Sequence, residues 1–167
     1  MIRCVIVHKE VEMLDRLIAT TPYDNISTPW EALDPLIPYL HEKDICWEMC
    51  PGEGRLTELL RTVIINVVEY DIDSLLCEPP SHYDYIVTNP PYSNKHKWIQ
   101  RAVELNKPFA LLLPVTTLGT RRCQRWMGDV DVLFLSKRID FTGKKAPWFA
   151  VAWFTRWLLP DRMVFSE

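Results

Sequence analysis

The sequence predicts an α/β domain built on a mainly parallel sheet, and three observations predict it. Short apolar runs rich in β-branched and aromatic residues alternate with amphipathic segments of helical period. Two of those runs stop abruptly in turn chemistry, at Cys50-Pro51-Gly52-Glu53-Gly54 and at Asn89-Pro90-Pro91-Tyr92. A chain of 167 residues with 48% apolar and 25% charged content also suits one domain that buries its own core.

Taken in order, residues 2–7 are a candidate strand, and residues 10–20 place Val11, Leu14, Leu17 and Ile18 on one helical face. Residues 1–27 read as an N-terminal extension ahead of a domain spanning 28–160. Thr28-Pro29-Trp30-Glu31 reads as a capping box with proline at the first helical position. Trp30, Leu33, Ile37 and Leu40 continue at helical spacing, and Pro35 and Pro38 must kink or restart that helix. Residues 44–48 form a strand, and a helix carrying Leu56, Leu59 and Leu60 follows the glycines. Strands are expected at 63–69 and 83–88, then an amphipathic helix at 94–106 with Trp98, Ile99, Ala102 and Val103 facing inward. Further strands at 109–113 and 130–135 flank a basic helix around 121–127. Residues 146–157, dominated by β-type side chains, supply the last strand.

Composition narrows the function classes. The longest apolar runs, such as 148–154, are far too short to span a bilayer. The N-terminus does not read as a signal peptide, so cytoplasm is the expected location and no membrane partner is expected. Five cysteines, Cys4, Cys46, Cys50, Cys77 and Cys123, form no C-x-x-C pair, and His8, His41 and His82 have no partners at ligand spacing. Neither a disulfide framework nor a metal site is expected. The net charge of −3 conceals a division: residues 1–88 hold 6 Lys/Arg against 16 Asp/Glu, whereas residues 89–167 hold 13 against 6. A polyanion could use that second half.

Two motifs carry chemistry. In Trp47-Glu48-Met49-Cys50-Pro51-Gly52-Glu53-Gly54 a strand ends in an acid, then Gly-x-Gly, then a helix. That order brings bare backbone to the carboxyl edge of a parallel sheet, where ligands approach the main chain. Thr57 stands where a third glycine would complete G-x-G-x-x-G, which disfavours a pyrophosphate site. In Asn89-Pro90-Pro91-Tyr92 two prolines fix φ and remove two backbone donors, so outward carbonyls meet no competing N–H. The Asn89 amide oxygen and the Pro90 carbonyl can then accept from one NH₂ group, and the Tyr92 ring offers a face to a planar base. Two acceptors on an exocyclic amine bias its delocalised lone pair towards attack.

The pair, in this order and about 40 residues apart, resembles the amino-methyltransferases with an (N/D/S)-P-P-(Y/F/W) motif. The stretch 28–157 is similar to the small adenine-N6 DNA methyltransferases of phages and prophages. The likeness is carried by Thr28-Pro29-Trp30, by Trp47-Glu48 through Gly54, by Thr88 to Ser93 and by the helix at 99–105. It continues in Leu111-Leu112-Leu113-Pro114, Ser136-Lys137-Arg138-Ile139 and Phe149-Ala150-Val151-Ala152-Trp153-Phe154.

That resemblance implies a single-domain, Rossmann-like class I methyltransferase fold with an antiparallel last strand, and S-adenosylmethionine as cofactor. It implies the cofactor's methionine end at Glu48, Cys50, Gly52 and Gly54, its adenosine near Thr28, Pro29 and Trp30, and its ribose on Glu69 or Asp71. It implies Asn89, Pro90, Pro91 and Tyr92 as the catalytic motif, with DNA as the partner. Only 19 residues separate Glu69 from Asn89, too few for a full helix and a further strand. Asp73-Ser74-Leu75 are then left to replace the missing adenine contacts. Lys95, Lys97, Arg121, Arg122 and Lys144 are candidate phosphate contacts. Trp148 and Phe149 either cover a flipped base or pack the final strand. No separate target-recognition domain fits, so selectivity must come from loops or a second subunit, and a homodimer is compatible with this. Other readings of the same motif are an RNA amine or a protein glutamine as acceptor, or a non-catalytic cofactor-binding protein.

Overall fold

Hydrophobic runs buried on both faces organise the molecule. The computed structural model describes residues 27–70, 75–143 and 147–167. The expected strand at 2–7 and helix at 10–20 lie outside the described residues, as do Asp71, Asp73, Ser74 and Lys144. Among the described residues, seven strands form one sheet: β1 (Ile45–Glu48), β2 (Asn66–Glu69), β3 (Tyr85–Thr88), β4 (Phe109–Pro114), β5 (Asp131–Phe134), β6 (Val151–Arg156) and β7 (Met163–Phe165). Their order across the sheet is β2-β1-β3-β4-β6-β5-β7. Every neighbouring pair is parallel except those made by β6, which runs against both β4 and β5. This is the α/β class expected, and β6 is the antiparallel strand.

Burial explains which runs became central strands. All six residues of β4 are buried, as are five of the six in β6, consistent with strands covered on both faces. The edges are wetter: β2 and β7 carry no fully buried residue. β7 was not expected. It extends the sheet past residue 160, pairing Val132 with Met163 and Phe134 with Phe165.

Three helices matter for the site. α1 (Trp30–Leu33) is one turn that passes into a 3-10 helix, Asp34–Tyr39, so the prolines there restart the helix as expected. α2 (Arg55–Leu60) follows Gly54 and connects β1 to β2. α3 (Lys95–Glu104) buries Trp98, Ile99 and Ala102 and connects β3 to β4. The basic segment is not an α-helix. Arg121 and Arg122 lie in a turn, and a 3-10 helix, Gln124–Asp129, follows with no residue fully buried. Gly128 and the absence of a continuous apolar stripe leave the segment nothing to bury as a longer helix.

Between β2 and β3 the described residues form no helix or strand, as the short spacing requires. That connection is tied down where Arg101 of α3 donates to the Cys77 carbonyl at 2.7 Å. After β2 the chain passes back over β1 to lay down β3. Strand order therefore reverses between β1 and β3, and the crevice outside their carboxyl ends is where ligands enter such sheets. Both motifs open there.

The N-terminal turn is bolted to the sheet by one buried bond: the Trp153 indole of β6 donates to the Ala32 carbonyl at 2.7 Å. Replacing Trp153 with phenylalanine orphans that carbonyl. The expected loss is about 1–3 kcal/mol of unfolding free energy by denaturant titration. A variant as stable as the parent would show that the bond does not anchor α1.

Candidate active site

β1 ends in Glu48, whose side chain is fully buried. Its Oε1 accepts from the Cys50 backbone N–H at 2.8 Å and from the Thr88 hydroxyl of β3. The Cys50 N–H also reaches Thr88 Oγ1 at 3.1 Å. One carboxylate oxygen thus ties the ends of two adjacent strands to the first turn of the glycine loop. The other oxygen, Oε2, is buried with no partner among the described residues. Burial pushes this carboxyl up to about 8, with neighbouring Glu69 raising it further, against the two hydrogen bonds that lower it. A buried acid in that condition needs either its own proton or a cationic ligand.

The loop that follows turns as its glycines predict. Gly52 and Gly54 have φ of +53° and +80°, in the region L side chains rarely adopt. Among the described residues, no atom beyond its chain neighbours lies within 4 Å of where a side chain on Gly54 would project. The orphaned, buried Oε2 of Glu48, on the strand that runs into this loop, suits the positively charged end of S-adenosylmethionine. Glu48, Cys50, Gly52 and Gly54 are the residues that would hold it.

Thr28 is corrected. It is not a helix cap, because α1 starts one residue later, with extended Pro29 at the cap position and no side-chain capping bond. Its buried hydroxyl instead accepts from Asn89 Nδ2 at 3.0 Å, across 61 positions of sequence. The bond holds the Asn89 amide with Nδ2 engaged and Oδ1 buried without a partner among the described residues. Trp30 is 39% exposed at the start of α1, off the core.

The remaining motif residues are closed in. Tyr92 is 1% exposed, and the Phe149 ring stands edge-on against it at 6.1 Å and 77°. The expected open stacking face is therefore covered. Trp148, nearly half exposed, stands edge-on against Phe149 in turn. Glu69 lies beside Glu48 in register at the end of β2, but Arg61, the residue after α2, holds its Oε1 at 3.0 Å. Lys95 is a second correction: it is buried at the first position of α3 rather than displayed to a phosphate, whereas Lys97 is exposed. Arg121 and Arg122 are exposed and line a cleft with His96.

No family model matches the chain, and no curated protein matches it. Solved structures do. A 23S rRNA methyltransferase, ErmE, superposes with a TM-score of 0.54 at 17% identity, over 82% of this chain and 73% of that one. This chain shares the fold of that methyltransferase. A predicted O-methyltransferase from Agrobacterium tumefaciens aligns over 91% of this chain and 83% of its own, at 13% identity and a TM-score of 0.44. No helix among the described residues is long and apolar enough to cross a membrane.

Thr88 was the participant least visible beforehand: its hydroxyl acts across strands, and only its place before Asn89 marks it. Glu48 also sets a pH dependence. Its folded pKa lies above the ordinary value of 4.5, so the folded state keeps a proton that the unfolded chain releases. Stability of the free protein should then fall as pH rises between about 5 and 8, by at most about 1.4 kcal/mol per unit. Glu48→Gln should flatten this slope in denaturant melts. A slope unchanged by the substitution would place its origin elsewhere.

Proposed function

We propose that this chain is an S-adenosylmethionine-dependent methyltransferase acting on N6 of adenine in DNA. The observation that carries the reading is the Asn89 amide, fixed through Nδ2 by Thr28 while Oδ1 is buried with no partner among the described residues. A buried acceptor with no donor is costly unless a ligand completes it, and an exocyclic amine is the complementary group. The Pro90 carbonyl supplies the second acceptor, since Pro91 brings no N–H to compete with it. The N-P-P-Y order and the rRNA methyltransferase that shares the fold both support a nucleic-acid base as acceptor.

S-adenosylmethionine supplies a methyl already activated by a positive sulfur, so no strong base is needed. Glu48 and the loop to Gly54 would hold its amino-acid end, Thr28, Pro29 and Trp30 would border its adenosine, and Glu69 or Asp71 would take its ribose. Asn89 Oδ1 accepts a hydrogen of N6 and strengthens as that nitrogen becomes positive, so it acts chiefly in the transition state. The N6 proton then leaves to water. For the base to stack on Tyr92, the Phe149 ring must turn aside, and Trp148 is the aromatic face already exposed.

Single-turnover methyl transfer to adenine-containing DNA, run beside cofactor titration, tests this. Asn89→Ala should lose on the order of 100- to 1000-fold in rate and keep cofactor affinity. Thr28→Val, which preserves shape but not the hydroxyl, should lose roughly tenfold through a freed amide. Near-normal turnover by Asn89→Ala would remove the basis of the assignment, and transfer to RNA in place of DNA would correct the substrate.

A further inference from the structure

His96 lies in the first turn of α3, and Arg121, Arg122 and Arg125 come from the turn and 3-10 helix packed against that helix. These four side chains line one cleft of about 530 Å³. Among the described residues its lining is three arginines and a histidine. Among the described residues no carboxylate forms an ion pair with any of the three arginines. Arg125 is held in place, donating to Gln100 Oε1 at 3.0 Å and lying 4.6 Å over the Trp126 ring. Arg121 and Arg122 are exposed and carry their charge beside it. Like charges converging without a counter-charge repel one another, and an anion relieves that repulsion.

We infer that this cleft binds phosphodiester groups of the nucleic-acid strand whose base is methylated. The inference rests on the function proposed above and names the part of the molecule that grips the substrate backbone. Three guanidinium forks match phosphate oxygens bidentately, which neither an apolar ligand nor a metal ion would use. A cleft of that volume is larger than one inorganic anion requires and suits a stretch of backbone. His96 follows Asn89 by seven positions, so the cleft lies within about 25 Å of the acceptor amide, a reach of a few nucleotides. Lys95, which is buried, has no part in it.

His96 gives the cleft a pH signature. Burial holds it below its ordinary value, and Arg122, Lys97, Lys95 and Arg125 lower it further. Among the described residues these four are the charges that act on it, and Arg121 lines the same cleft. A bound phosphodiester offsets their repulsion, so the strand and a proton on His96 favour one another.

The test uses the full chain carrying Asn89→Ala, which uncouples binding from turnover, and a labelled adenine-containing DNA strand read by anisotropy. Arg122→Ala and Arg125→Ala should each weaken binding about tenfold. Together they should reduce the slope of log affinity against log salt by about 1.4 to 1.8. Lys43→Ala, an equal loss of charge on the turn before β1, should leave binding unchanged. Affinity should rise from about pH 7.5 to about pH 5.5, and His96→Gln should flatten that rise. Unchanged affinity and salt slope in the arginine variants would overturn the inference. So would a polyglutamate of matched charge that binds as tightly as the strand. If the parent chain transfers no methyl group yet the arginine variants lose the strand, the catalytic reading fails and the cleft stands.

Discussion

A carboxyl group with no access to water holds the functional end of this molecule together. Glu48 closes β1, and through Oε1 it gathers the Cys50 N–H and the Thr88 hydroxyl into one cluster. The glycine loop and the Asn-Pro-Pro-Tyr exit belong to different strands, and this acid fixes them relative to one another. A buried carboxyl destabilises the free fold, which retains it only where the surroundings over-determine it. Here the surroundings are the carboxyl ends of β1 and β3, at the reversal of strand order. A cationic ligand beside Oε2 would recover what burial costs, linking cofactor binding to stability.

From that cluster the arrangement spreads outward. Thr88 precedes Asn89, and Asn89 reaches Thr28, so the N-terminal turn, β1 and β3 share one chain of polar contacts. Trp153 fastens the same turn to β6 through Ala32. The Asn89 amide is therefore held by a turn that is itself tied to β6, the kind of bracing the proposed role would call for. Three arginines of the basic half, Arg121, Arg122 and Arg125, line one cleft with His96, while Glu48 and Glu69 of the acidic half lie in register at the ends of β1 and β2.

What could be read beforehand was what periodicity and turn chemistry encode. The continuous apolar runs of β4 and β6 marked buried strands, the two glycines marked left-handed backbone, and Trp98, Ile99 and Ala102 marked the inner face of α3. Contacts over long separations were hidden. The tetrapeptide from Thr28 has the local signature of a cap, and nothing nearby signals that its hydroxyl serves Asn89 instead. β7 is three residues at a sheet edge, too short and too exposed to leave a pattern. The ion pair that occupies Glu69 and the ring that covers Tyr92 come from Arg61 and Phe149, and only the tertiary fold brings them there.

The account turns on the identity of the methyl acceptor. The chain should be given S-adenosylmethionine with a labelled methyl group and offered DNA, RNA and protein together, with the product digested and identified by mass spectrometry. The account predicts label in DNA, on the exocyclic nitrogen of adenine. Label on a protein side chain, or on a ring carbon of any base, would contradict it.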